Sequence, residues 1–202
     1  TNNLKENIFE ASFKVERNKL YSITLFYNQM DAAFILYSPF LVANRLTAGH
    51  AGFNGEYNFK NGLLISGKYA FVDVSDGNNG NNIQFRLGKK FQDDINAGYE
   101  YYYYTFSEST ELYWSPENFE AHSLWADFNL VRDSEITFTL GGKIGIIPEN
   151  DFLLREFYAR FNYKSVANFN LQAAIITGSS SRSGTGYNST SFQLGAYWTP
   201  NF

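Results

Sequence analysis

The sequence predicts an all-β fold, a transmembrane antiparallel up-and-down β-barrel of about twelve strands, with ten as the fallback. Three observations predict it. Segments of roughly ten residues alternate apolar and polar side chains, near the length of a tilted membrane strand and above the usual strand of about five or six. Tight turns at Lys60-Asn61-Gly62, Gln92-Asp93-Asp94, Arg132-Asp133-Ser134 and Ser165–Asn168 are interleaved with longer loops around Asp76–Asn81, Ser107–Glu120, Pro148–Asp151 and Ser179–Gly186. Short turns on one rim and longer loops on the other are the asymmetry of such a barrel. Aromatic residues (19% of the chain) recur near segment ends, at Tyr69/Phe71, Tyr101/Tyr103, Tyr163 and Trp198, where interfacial girdles sit.

Taken in order, Ile8–Glu16 and Leu20–Asn28 read as a hairpin around Arg17-Asn18-Lys19. Ala32–Tyr37 is a third candidate strand, stopped by Ser38-Pro39, since proline belongs at an edge or in a loop. Further strands are expected near 47–59, 63–75 and 81–91, where Ile83, Phe85 and Leu87 alternate with Gln84, Arg86 and Gly88. The next covers 94–106, with tyrosines on both faces at Tyr99 and Tyr101–Tyr104, aromatics being favoured strand residues. At 121–131 Leu124, Ala126, Phe128 and Leu130 alternate with Ser123, Trp125, Asp127 and Asn129. At 135–146 Ile136, Phe138, Leu140, Ile144 and Ile146 alternate with Thr137, Thr139, Gly141, Lys143 and Gly145. The last three lie at 153–164, 168–178 and 187–198. Successive strand residues point to opposite sides, so each segment has one greasy and one polar face. A soluble sandwich would bury the greasy face; a membrane barrel turns it to lipid. The Gly, Gln, Asn, Arg and Glu of the polar phase suit a crowded or wet interior.

Composition excludes several functions. The 202 residues suit one domain over 1–202. The start at Thr1-Asn2-Asn3-Leu4-Lys5 reads as processed or excised, which would make the chain the C-terminal part of a longer protein. No apolar run is long enough for a transmembrane helix, and a mean hydropathy of −0.32 fits alternating strands. A net charge of −4 gives no footprint for nucleic acid. Without Cys there are no disulfides or Cys-ligated metals. An enzyme is not expected: His50 has no neighbouring Ser, and His122 and Ser123, being consecutive in a strand, face opposite sides. Asp73, Asp76, Asn78 and Asn79 lack the calcium-loop pattern and read as turn chemistry. No cofactor or metal is expected.

The candidate site is therefore a lumen. Glu56, Lys68, Arg86, Glu100, Asp127, Lys143, Glu156 and Arg160 fall on polar phases and would guide a hydrophilic solute, or pair with one another and plug a narrow barrel. Tyr102, Tyr104, Trp125, Tyr158 and Tyr197 would offer faces on which sugar rings stack.

The ending Phe192-Gln193-Leu194-Gly195-Ala196-Tyr197-Trp198-Thr199-Pro200-Asn201-Phe202 resembles the C-terminal signal of bacterial outer-membrane barrels, with Leu194, Ala196, Trp198, Pro200 and Phe202 in one phase. Pro200 stands where an aromatic is usual. The resemblance implies that Trp198 and Phe202 are read by the barrel assembly machinery. Val74-Ser75-Asp76-Gly77-Asn78 and Leu112-Tyr113-Trp114-Ser115-Pro116-Glu117-Asn118-Phe119 are similar in order to barrel domains that follow tetratricopeptide repeats in exopolysaccharide export proteins, over roughly residues 50–202. That likeness implies a channel or export conduit for a polysaccharide or other hydrophilic polymer in a Gram-negative outer membrane, with outer-membrane lipid, the polymer and periplasmic proteins as partners. The alternatives are a plugged structural or adhesive barrel, whose loops contact partners, and a soluble β-barrel binding protein.

Overall fold

The structure, a computed structural model, describes residues 9–17, 20–32, 36, 46–92, 94–132, 135–164, 169–182 and 185–198. Eleven antiparallel strands run among them in one sheet whose hydrogen-bonded order is the sequence order. They are β1 (Phe9–Arg17), β2 (Tyr21–Asp31), β3 (Thr47–Asn58), β4 (Leu63–Val74), β5 (Asn79–Gln92), β6 (Ile95–Phe106), β7 (Phe119–Arg132), β8 (Ile136–Ile147), β9 (Phe152–Lys164), β10 (Phe169–Arg182) and β11 (Thr185–Trp198). Among the described residues β1 and β11 are not paired with each other.

The strands differ from expectation in two places. In the segment Ala32–Tyr37 the described residues Ala32 and Leu36 are helical and buried, and the rest lies outside the described residues. Ser179–Gly186, expected as a loop, is a ribbon paired from Ser179↔Asn188 to Arg182↔Thr185. Ser and Thr keep their backbone groups in that ladder, which polar side chains do not forbid. The turn at Ser165–Asn168 lies outside the described residues. At Lys60-Asn61-Gly62 the chain reverses as expected: Gly62 takes a φ of 83°, Phe59 N–H donates to Leu63 O at 2.8 Å, and Leu63 N–H donates to Asn61 Oδ1 at 3.1 Å. A left-handed φ favours glycine there because a Cβ would clash.

Contacts divide the chain into two compact units, Thr1–Leu87 with Tyr101–Glu120, and Gly88–Glu100 with Ala121–Phe202. In the first, register places Ser22, Glu56 and Ser66 in one row and Thr24, Asn54 and Lys68 in the next, all on one face. The opposite face carries Phe13, Leu25, Phe53 and Phe71, all exposed. In the second unit Asp127, Gly141 and Tyr158 align across β7–β9, as do Trp125, Lys143 and Glu156. The other face presents Leu124 (65% exposed), Phe157 (62%), Phe192 (77%) and Leu194 (80%). A sheet buried in water-soluble fashion hides such side chains; here the apolar face is the open one. A bulge between Asn129 and Val131 shifts the register near the end of β7.

Candidate functional site

Polar-phase residues of the first unit line an open recess of about 260 Å³ with Ser22, Asn54, Glu56, Ser66, Lys68, Gln84 and Arg86. Glu56, Lys68 and Arg86, three of the expected residues, therefore share one site. Their strands position them by alternation: positions two apart face the same way. Asn58 Nδ2 donates to Glu56 Oε1 at 2.8 Å and holds the carboxylate along its own strand. Asn82 Nδ2 donates to the Tyr102 hydroxyl at 2.9 Å. The side-chain oxygens of Asn28 and Asn82 are buried with no donor among the described residues.

Above this recess, toward the Val74 end of β4, the polar phase turns apolar. Ala70, Val72, Val74, Tyr104 and Phe106 are buried there, and the segment between β6 and β7 packs on them. Phe106 meets Tyr113 edge-on with ring centroids 5.7 Å apart, and Trp114 lies 5.4 Å from Tyr104 and 4.9 Å from Phe119. Tyr113 is 2% exposed and donates its hydroxyl to Asp76 Oδ2 at 3.0 Å. Asn78 staples the other side: its Nδ2 donates to Glu108 O at 2.8 Å, and its Oδ1 accepts from the Ser107 hydroxyl at 2.9 Å and from Glu108 N–H at 3.1 Å. The two strings that carry the exporter resemblance, 74–78 and 112–119, thus form one folded joint. Asp76 and Asn78, weighed in the sequence as calcium donors, spend their oxygens on this loop. Burial, with the Asp76 hydrogen bond and the Asp76 and Glu108 charges behind it, pushes the Tyr113 phenol up to about 12 against a smaller opposing hydrogen bond from Asn78.

In the second unit the expected charges pair. Lys143 Nζ lies 2.9 Å from Glu100 Oε1 and 3.6 Å from Glu156 Oε2, and Glu100 is 2% exposed. Register sets Lys143 directly opposite Glu156 across β8–β9. Tyr158 donates its hydroxyl to Asp127, while the Arg160 guanidinium stacks on the Tyr158 ring 4.0 Å from its centroid. Glu100, Lys143 and Glu156 thus make one cluster, and Asp127, Tyr158 and Arg160 another.

The aromatic faces fare differently from expectation. Tyr104, Trp125 and Tyr158 are buried, so their rings pack instead of standing open for sugars. Glycine supplies the room: a Cβ on Gly88 would meet Trp125 Cζ2 at 2.5 Å, and one on Gly141 would meet Asp127 Oδ1 at 2.6 Å. Tyr102 remains half-buried, with Phe119 6.0 Å away. The side chains of Tyr197 and Trp198 and the whole of Phe202 lie outside the described residues; the Trp198 backbone pairs with Phe169. His122 and Ser123 do face opposite ways: His122 Nδ1 lies 2.5 Å from the Tyr99 hydroxyl, whereas Ser123 is buried on the other face. The loop aromatics Tyr113, Trp114 and Phe119 were not foreseen as a packed cluster, although their density in eight residues was visible.

No family model and no curated protein matches the chain. Among solved structures it is similar to a bacterial polysaccharide outer membrane secretin, with a TM-score of 0.69 and 13% identity, over 95% of this chain and 69% of that one. It is also similar to KdgM porin in complex with disordered oligogalacturonate, with a TM-score of 0.55 and 11% identity, over 95% of this chain and 91% of that one. The KdgM porin by itself gives a TM-score of 0.55 at 10% identity with the same coverage of 95% and 91%. At these identities the likeness is one of fold, an antiparallel sheet whose strands pair in sequence order.

Proposed function

We propose that the chain is an outer-membrane channel, a conduit through which a hydrophilic polymer, namely a polysaccharide, passes without bond making. The observation that carries this is the inversion of the faces: on interior strands Leu124 and Phe157 are 65% and 62% exposed while Glu100 is 2% exposed. Hydrocarbon is the solvent in which that arrangement is favourable, because exposed apolar surface costs about 25 cal/mol per Å² in water and nothing of the kind in lipid. The recess with Glu56, Lys68 and Arg86 supports a wet interior. On this reading the 202 residues act as one barrel domain of a bacterial outer membrane, inserted by the barrel assembly machinery through Trp198 and Phe202. Periplasmic proteins would deliver the polymer.

A second reading, a closed structural barrel, is favoured by the aromatic loop packed on Tyr104 and Phe106. Planar-bilayer recording separates the two. The channel predicts detergent-dependent recovery and a voltage-tolerant current that a soluble oligosaccharide blocks. Recovery without detergent removes both readings, and silence at every voltage leaves the closed barrel.

A further inference from the structure

The apolar face of the second unit is not uniform. Between β7 and β9 it is dented, a groove of about 690 Å³ with Leu124, Phe128, Leu140, Ile144 and Phe157 as walls. Ala126 and Gly142 stand in register at its floor. Backbone fills the space a larger residue would need, since a Cβ on Gly142 would meet Glu156 O at 2.7 Å. At the rim stands Arg155, exposed, in register with Ile144 and four residues into β9 from the Pro148–Asp151 turn. No ion pair of Arg155 occurs among the described residues.

A cation on a lipid-facing surface needs an account. At the bilayer midplane it costs about 2–4 kcal/mol, near the interface about 0–1, so Arg155 belongs at headgroup level. Register sets the start of β7, entered by the long connection after β6, beside the Pro148–Asp151 end of β8 and β9, and long connections lie outside the cell. That places Arg155 in the outer leaflet, whose lipid is a phosphorylated glycolipid. Guanidinium matches phosphate in a bidentate, charge-assisted geometry, and the groove below it takes a hydrocarbon chain.

We infer that the Arg155 rim and the Ala126–Gly142 groove bind one molecule of lipid A, with a phosphate on Arg155 and an acyl chain against Leu124, Phe128 and Phe157. This rests on the outer-membrane reading of the apolar face.

Native mass spectrometry of the full chain in detergent tests it, with bis-phosphorylated lipid A, its dephosphorylated form and phosphatidylglycerol added separately. Retention of one bis-phosphorylated lipid A is expected. Arg155→Gln should weaken it about tenfold, the loss of a charge-assisted contact. Ala126→Phe, which fills the groove from the neighbouring strand, should weaken it as well, with heat-modifiable gel migration confirming that each variant has folded. Equal retention of the dephosphorylated form, equal retention of phosphatidylglycerol, or folded variants that bind like the parent would each overturn the site. Recovery without detergent would instead remove the outer-membrane reading beneath it.

Discussion

Lys143 shows how much one side chain carries. It bridges Glu100 and Glu156, and Glu100 is nearly enclosed. Lys143→Met leaves Glu100 buried without that cation and should cost about 3–5 kcal/mol, as broken buried pairs do. Adding Glu100→Gln removes the stranded charge, so the double variant should recover much of the loss in denaturant titrations; equal loss in both would show that the pair is not the cause. Tyr113 makes a different prediction. Its phenol is pushed up to about 12, first by burial. A folded value above the usual 10 means the freed loop loses its proton first. Docking is then fully favoured below pH 10 and lost as pH rises towards 12. The tyrosinate difference absorbance between the parent and Tyr113→Phe should show one tyrosine titrating near 12. A difference centred at 10 would contradict the docked loop. The sequence named Glu100, Lys143 and Glu156 separately, by phase. It offered pairing within the whole set but not which partners meet, because that depends on which strands lie alongside.

Strands were the most legible level. Alternation over ten or more residues is a backbone property, so β3 to β9 begin and end within two residues of the expected positions. Where periodicity was short, at Ala32–Tyr37, or the residues were Ser and Gly, at Ser179–Gly186, the pattern misled. Facing was legible too: Leu124 and Phe157 are exposed while Trp125 and Tyr158 beside them are buried, as the apolar phase requires for lipid. Phe192→Arg, midway along β11, should therefore destabilise the folded protein by about 2–4 kcal/mol in bilayers. Unfolding in lipid vesicles measures this, and a neutral effect would mean that the face meets water.

For the molecule as a whole, the proposed conduit makes the loop between β6 and β7 the segment to test. Asn78 holds it with three side-chain hydrogen bonds, to Glu108 O, Ser107 Oγ and Glu108 N. Asn78→Ala should loosen the loop, each lost bond contributing about 1 kcal/mol, and single-channel conductance should rise or become noisy. Conductance unchanged by both Asn78→Ala and deletion of 109–116 would show that the loop does not obstruct passage. The sequence alone determined the strands, their two faces and the polar residues available to a lumen, because a period of two is written residue by residue into an extended backbone. Only the tertiary structure decided that Tyr104, Trp125 and Tyr158 are packed, that 74–78 grips 107–119, and that Glu100 meets Lys143. Those outcomes depend on register and on where a loop returns, and neither is encoded in the spacing along any single strand.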